Sequence, residues 1–267
     1  MATYVVGDIQ GCFQTFLKLL EQIEYDKNTR IILLGDVINR GPRSLELLRF
    51  IINNQDNIKI ILGNHEIFAI GLFLGVTQTQ RKHTLDELFT APDAVEIMNW
   101  LKSQELIIKY KNNICVHAGV MPDMSLDYAL GRARLIHDEL ANNTHEFLKN
   151  YFNKRVFDRN LCVTQEENLY FELASFTLLR MCVSQSIFDN NYSGIIASAP
   201  AGLKPWFELR HDENYRVYFG HWAALGFYQR KNYYCLDSGC GWGRSLTALC
   251  LEDHQVFQVD NYDINNK

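Results

Sequence analysis

Apolar positions along the chain come in two textures, short unbroken runs and longer stripes with helical spacing. Thr3–Val6 is brief, β-branched and followed by Gly7-Asp8, as a buried strand would be. Residues 12–24 then set Phe13, Phe16, Leu17, Leu20 and Ile23 on one helical face. The alternation repeats. Arg30–Leu34 predicts a second strand ending at Gly35-Asp36, and Leu45, Leu48, Ile51 and Ile52 predict a helix entered at Pro42. Ile58–Leu62 predicts a third strand and Glu66–Leu74 a third helix. This rhythm predicts an α/β fold with a mostly parallel sheet covered on both faces. Right-handed crossovers would then bring the three Gly-Asp or Gly-Asn loops to one edge of that sheet, where such folds bind ligands.

Pro92–Leu101 predicts a further helix and Asn113–His117 a fourth core strand. Between 124 and 212 the texture changes. Residues 126–152 read as polar helix, 153–172 as irregular, 173–183 as apolar and 190–205 as rich in turn residues. The expectation is an inserted, partly helical cap over the site, within a single domain spanning 1–267. From Tyr215 onward, Arg216–Phe219, Asn232–Leu236, Ser245–Leu251 and Gln255–Val259 read as strands. Their short spacing predicts antiparallel hairpins in a second sheet.

Composition narrows the function. A chain of 267 residues with 47% hydrophobic content can bury a large core. Its net charge of −5 provides no basic field for general nucleic-acid binding, although bound metal ions and one or two arginines could still receive a small polyanion. The seven cysteines are odd in number, lack a C-x-x-C pair and sit partly in apolar runs, as buried thiols in a reducing compartment would. With no signal peptide and no apolar run of membrane-spanning length, the sequence predicts a cytoplasmic protein with no membrane partner.

The candidate chemistry lies where apolar runs end: Gly7-Asp8-Ile9-Gln10-Gly11, Gly35-Asp36 through Arg40-Gly41, Gly63-Asn64-His65-Glu66, His117-Ala118-Gly119 and Gly220-His221. A strand-end carboxylate has a direction fixed by the sheet, and a neighbouring glycine permits a tight turn. Asp8 and Asp36 could therefore converge, one of them bridging two cations about 3.5–4 Å apart. Asn64 adds an amide oxygen, His117 and His221 imidazole nitrogens. This mixed set suits transition metals better than calcium. His65 would face the same pocket as a proton donor, and Arg40 offers a planar fork to phosphate. Cys12 has no paired base and reads as structural, while Asp237 could stabilise either a loop or a ligating histidine.

These motifs, in this order, resemble the calcineurin-like metallophosphoesterases, which include the phosphoprotein phosphatases. A narrower resemblance is to the symmetrical bis(5′-nucleosyl)-tetraphosphatases. It rests on Leu203-Lys204-Pro205-Trp206-Phe207, on Gly220 through Leu225 and on Leu236 through Gly243. The resemblance implies a four-layer α/β/β/α metallophosphoesterase sandwich and hydrolysis of diadenosine tetraphosphate (Ap4A) into two ADP by a metal-bridging hydroxide. It implies two divalent metal ions, Mn²⁺ or Co²⁺, one held by Asp8, Gln10 and Asp36, the other by Asp36, Asn64, His117 and His221. His65 would be the general acid. Arg40 and Arg180 would bind phosphate, while Lys204 and Trp206 read either as nucleotide contacts or as ordinary loop packing. Tetraphosphate-capped RNA 5′ ends are a further implied substrate.

Two positions depart from the wider superfamily. Gln10 stands where most members carry histidine, and a neutral amide oxygen predicts a weaker first site shifted from Zn²⁺ towards Mn²⁺ or Co²⁺. Asn39 stands where protein phosphatases carry an aspartate beside the catalytic histidine, which predicts less proton donation from His65. ADP is a much weaker base than an alkoxide and tolerates this. The alternatives are a protein serine/threonine phosphatase on the same fold, disfavoured by Asn39 and the C-terminal motifs, and a catalytically silent scaffold, disfavoured by the complete ligand set.

Overall fold

The computed structural model describes residues 2–79, 82–211 and 214–264. Its first half runs β1 (Thr3–Val6), α1 (Phe13–Gln22), β2 (Arg30–Leu33), α2 (Ser44–Asn53), β3 (Ile58–Ile60) and α3 (Asn64–Phe73). There follow α4 (Asp86–Thr90), α5 (Ala94–Leu101), β4 (Ile107–Tyr110) and β5 (Asn113–Val116). Three helices come next: α6 (Leu126–Asn142), α7 (Thr144–Asn153) and α8 (Gln165–Leu178). The short strands β6 (Met181–Cys182), β7 (Phe188–Asp189) and β8 (Lys204–Pro205) precede β9 (Arg216–Phe219), β10 (Tyr228–Arg230), β11 (Tyr233–Cys235), β12 (Ser245–Cys250) and β13 (Val256–Asp260).

β1, β2 and β3 pair in parallel, as the sequence rhythm requires. The first sheet has the order β13-β12-β1-β2-β3 and the second β10-β11-β9-β5-β4. They face one another across a thin apolar layer: Val5, Ile32, Leu34, Ile61 and Leu249 on one side, Cys115, Tyr218, Tyr234 and Leu236 on the other. The opposite faces, carrying Tyr4, Val6 and Leu33 or Ile114, Val116 and Phe219, join the helices in the main core. Alternate residues of one strand thus serve two different layers, which is why Tyr4–Val6 and Ile31–Leu33 form unbroken apolar, buried runs. The result is the expected α/β/β/α sandwich. Among the described residues no helix is long and apolar enough to cross a membrane.

The C-terminal half differs from the sequence expectation in three ways. Asn113–Val116 is the expected core strand and belongs to the second sheet, where β9 lies parallel to β5 and β11 parallel to β9 in place of the expected antiparallel pairing. The β12–β13 hairpin joins the first sheet, antiparallel to β1. Short spacing cannot distinguish these pairings, because partner choice depends on which apolar face each strand must bury. Lastly, part of the predicted irregular stretch is helix α8. Thr164 caps it with a hydroxyl that accepts from the Glu167 amide, while the Glu167 carboxylate accepts from the Thr164 amide. Residues Leu169–Thr177 are all buried, so no one-sided stripe marked them as helical. Residue 212, the predicted end of the insertion, lies outside the described residues.

Candidate active site

Strand register assembles the site. Val6 lies beside Leu33 and Leu33 beside Ile60, so the loops carrying Asp8, Asp36 and Asn64 leave the first sheet together. In the second sheet β5 delivers His117 and β9 delivers Gly220-His221, and the Gly220 amide donates to the His117 carbonyl at 2.8 Å. The two sheets thus end at one place. Between them, the His221 amide donates to both Asp8 carboxylate oxygens at 3.1 Å, while within the first sheet the Gln10 amide donates to the Asp36 carbonyl at 2.8 Å.

The donor atoms are tightly gathered. One ligand atom each from Asp36, His117 and His221 falls within 4.8 Å of the others, all three residues buried. His117 Nδ1 lies 2.7 Å from the Leu34 carbonyl, which can only accept, so the proton sits on Nδ1 and Nε2 keeps a lone pair. That lone pair faces Asn64 Oδ1 at 3.2 Å and Asp36 Oδ1 at 3.3 Å. His221 Nε2 is buried without a hydrogen-bond partner. Lone pairs of nitrogen and oxygen pointed at one another repel unless a cation lies among them, and a divalent ion with mixed N and O ligands fits this donor set.

Burial, followed by the Asp237 and Asp36 charges, drives the Asp8 carboxyl well above its ordinary range. Burial pushes Asp36 the same way, but His117, His65 and Arg40 outweigh it and hold Asp36 low. The imidazoles of His117 and His221 are lowered chiefly by burial, the neutral state that metal ligation needs. The backbone here is also strained. Gln10, Asp36, Asn39, Arg40 and His221 have φ between 46° and 72°, five of the nine non-glycine residues in the left-handed region among those described.

In the sequence Glu66 stands out only as part of the Gly63-Asn64-His65-Glu66 motif, yet it organises the loops. At the third position of α3 it accepts the amides of Gly63 and Asp36 at 2.8 Å, and that of Val37 at 2.9 Å. Burial and the Asp36 charge push its carboxyl up to about 8, against the pull of those amides. A glutamate three residues after a strand-end glycine was the signal available. Asp237 takes the loop-stabilising role of the two considered, accepting the Gly239 amide at 3.0 Å.

The other expected residues separate into two groups. Arg40 stacks on Trp242 with its guanidinium carbon 3.9 Å from the ring centroid, and Arg180 donates to the His221 carbonyl at 2.9 Å. His65 Nε2 is 3.7 Å from Asp36 Oδ2, and its buried Nδ1 has no hydrogen-bond partner. Asn39 does not serve His65, because its Oδ1 accepts the Arg40 and Thr84 amides. Lys204 is exposed on β8, paired with Cys182. Trp206 is a correction to the sequence reading. It is fully buried against Phe207, Phe219 and Tyr233, and a Cβ on Gly119 would lie 2.7 Å from its ring, so it packs the core and offers no face to a ligand.

Comparison with known proteins agrees with this geometry. The calcineurin-like phosphoesterase family model matches residues 1–224. A symmetrical bis(5′-nucleosyl)-tetraphosphatase of Methylobacillus flagellatus is 38% identical over 97% of this chain and 95% of its own length. One from Cellvibrio japonicus is also 38% identical, over 97% and 98%. A crystal structure of a proposed diadenosine tetraphosphatase shares the fold, with a TM-score of 0.68 at 19% identity, covering 98% of this chain and 95% of that one. The chain therefore belongs to the symmetrical bis(5′-nucleosyl)-tetraphosphatase family of calcineurin-like phosphoesterases.

Proposed function

We propose that this chain hydrolyses diadenosine 5′,5‴-P1,P4-tetraphosphate into two ADP with the help of two divalent cations, Mn²⁺ or Co²⁺. The observation that carries this reading is the meeting of the His117 and His221 lone pairs with the Asp36 carboxylate in a buried, polar cluster. The relatives' shared name supplies the substrate and the symmetry of cleavage.

Asp8, Gln10 and Asp36 would hold one cation, and Asp36, Asn64, His117 and His221 the other. Such a pair acidifies water towards neutral pKa and offsets the charge of phosphate oxygens. Arg40 and Arg180 supply guanidinium donors to the phosphates, and the Arg180 bond to the His221 carbonyl supports that placement. His65 protonates the departing ADP. Lys204, exposed on β8, contacts the distal nucleotide. The region 124–212 sets the length of substrate accepted, and Arg180 is its direct link to the phosphates. Tetraphosphate-capped RNA 5′ ends fit the same chemistry, since only the end would be read. Seven free cysteines, six of them buried, support a reducing, cytoplasmic setting.

Nucleotide analysis after digestion of Ap4A in Mn²⁺ tests the proposal. The expected products are two ADP, with activity lost to a chelator and restored by Mn²⁺ or Co²⁺. AMP plus ATP would overturn the symmetric register, and turnover of a phosphopeptide without turnover of Ap4A would favour the protein-phosphatase alternative.

A further inference from the structure

Trp242 is 56% exposed, whereas Trp206 and Trp222 are 0% and 1% exposed. Burial normally stabilises an indole by more than almost any other side chain, so its exposure requires a cause. The turn that carries it is well fixed. The Trp242 amide donates to the Gly239 carbonyl at 3.0 Å, the Gly243 amide to Cys240 at 2.9 Å and the Arg244 amide to Gly239 at 3.1 Å. Asn261 Nδ2 donates to the Cys240 carbonyl at 2.9 Å, tying the turn to the C-terminal segment. Gly239 and Gly243 flank it with φ of 79° and 77°, a conformation that costs glycine little. Gly241 packs so closely on Gln10 that a Cβ there would lie 2.0 Å from Gln10 Oε1. An aromatic ring is therefore held out in solvent at the margin of the metal-ligand cluster.

The ring is not bare on both sides. Arg40 lies over it at 3.9 Å, a cation–π distance. A ring with one face covered by a guanidinium and still 56% exposed has its other face open. A flat group on that open face would stack at about 3.5–4 Å. Its plane would then lie about 7–8 Å from a phosphate-binding guanidinium, within the span of one nucleoside diphosphate. Purines are the flat, polarisable part of the proposed substrate, and aromatic side chains stack them without regard to sequence.

We propose that Trp242 is a specificity-determining residue: one face of its indole fixes the Arg40 guanidinium, and the open face stacks the purine of the bound nucleotide. The proposal rests on the nucleotide reading of the site, but its test does not depend on turnover. Calorimetry with the Mn²⁺-loaded protein compares ADP with pyrophosphate, which has no base. Stacking of about 1–3 kcal/mol per base corresponds to about 5- to 150-fold in affinity. Trp242→Ala should weaken ADP binding by about tenfold or more, and pyrophosphate binding only by the smaller amount due to a loosened Arg40. Trp242→Phe, which keeps an aromatic face, should recover most of the ADP affinity. Equal losses for the two ligands would overturn the proposal and leave Trp242 as a support for Arg40 alone, as would undiminished ADP binding in Trp242→Ala. Failure of the wild type to cleave Ap4A would refute the functional reading instead, and the ADP-to-pyrophosphate comparison would still decide on Trp242.

Discussion

Replacing Gly220 by alanine tests the geometry of the site without replacing any proposed ligand. Gly220 has no left-handed backbone requirement, so the substitution acts through its new Cβ alone. That Cβ would stand 2.0 Å from Asp8 Oδ1, 3.2 Å from its Cγ and 3.7 Å from Oδ2. A tolerable contact begins near 3 Å, so the carboxylate must move by about 1 Å, a misplacement that can cost roughly 10²-fold in rate. It would also strain the two bonds from the His221 amide. Without metal the clash should cost about 1–3 kcal/mol, as overpacking of a buried site does. With metal the loss is larger. If affinity falls about 100-fold, the stabilisation conferred by saturating metal falls by RT ln 100, about 2.7 kcal/mol. Thermal melting of Gly220→Ala with and without Mn²⁺ should therefore show a modestly lowered metal-free midpoint and a sharply reduced Mn²⁺-induced rise. In parallel, kcat/KM on Ap4A should drop by about two orders of magnitude. An unchanged metal-induced rise together with wild-type turnover would refute the placement of Asp8 against Gly220 and the ligand role argued from it.

The natural control is Gly131→Ala, in the exposed part of α6 with nothing within 4 Å of the new Cβ. It should stabilise the protein by about 0.5–1 kcal/mol in denaturant melts through helix propensity and leave turnover alone. Gln10→His should tighten the first cation and shift preference towards Zn²⁺, because imidazole is the better donor for that metal; metal titration with equal affinities and an equal order of preference would contradict this. The left-handed backbone at Gln10 does not oppose the change, since histidine is among the residues enriched there. His65→Ala should lower the rate on an alkyl phosphomonoester by at least about tenfold more than on Ap4A, because ADP needs less help to leave. Equal losses on the two substrates, measured side by side, would remove that argument.

The sequence by itself determined the local parts. The alternation of β-branched runs and helical stripes marked β1, β2 and β3 with their helices, because strand and helix periodicities differ within a few residues. It also marked Asp8, Gln10, Asp36, Asn64, His117 and His221 as candidates, because five such motifs in this order carry a family resemblance where a single Gly-Asp turn carries none. Tertiary structure alone decided what depends on partners distant in the chain. It sent the β12–β13 hairpin to the first sheet and aligned β9 with β5, choices made by which apolar faces had to be covered. It converted Trp206 from a candidate ligand contact into core packing, and it made helix of a stretch whose uniform burial leaves no periodic signature. It brought the Asp36 and Val37 amides to Glu66 and stood Trp242 against Arg40, pairings 29 or more residues apart that no local pattern encodes. Periodicity records how a segment meets the core as a whole, while the identity of each neighbour is fixed only when the two sheets close on one another.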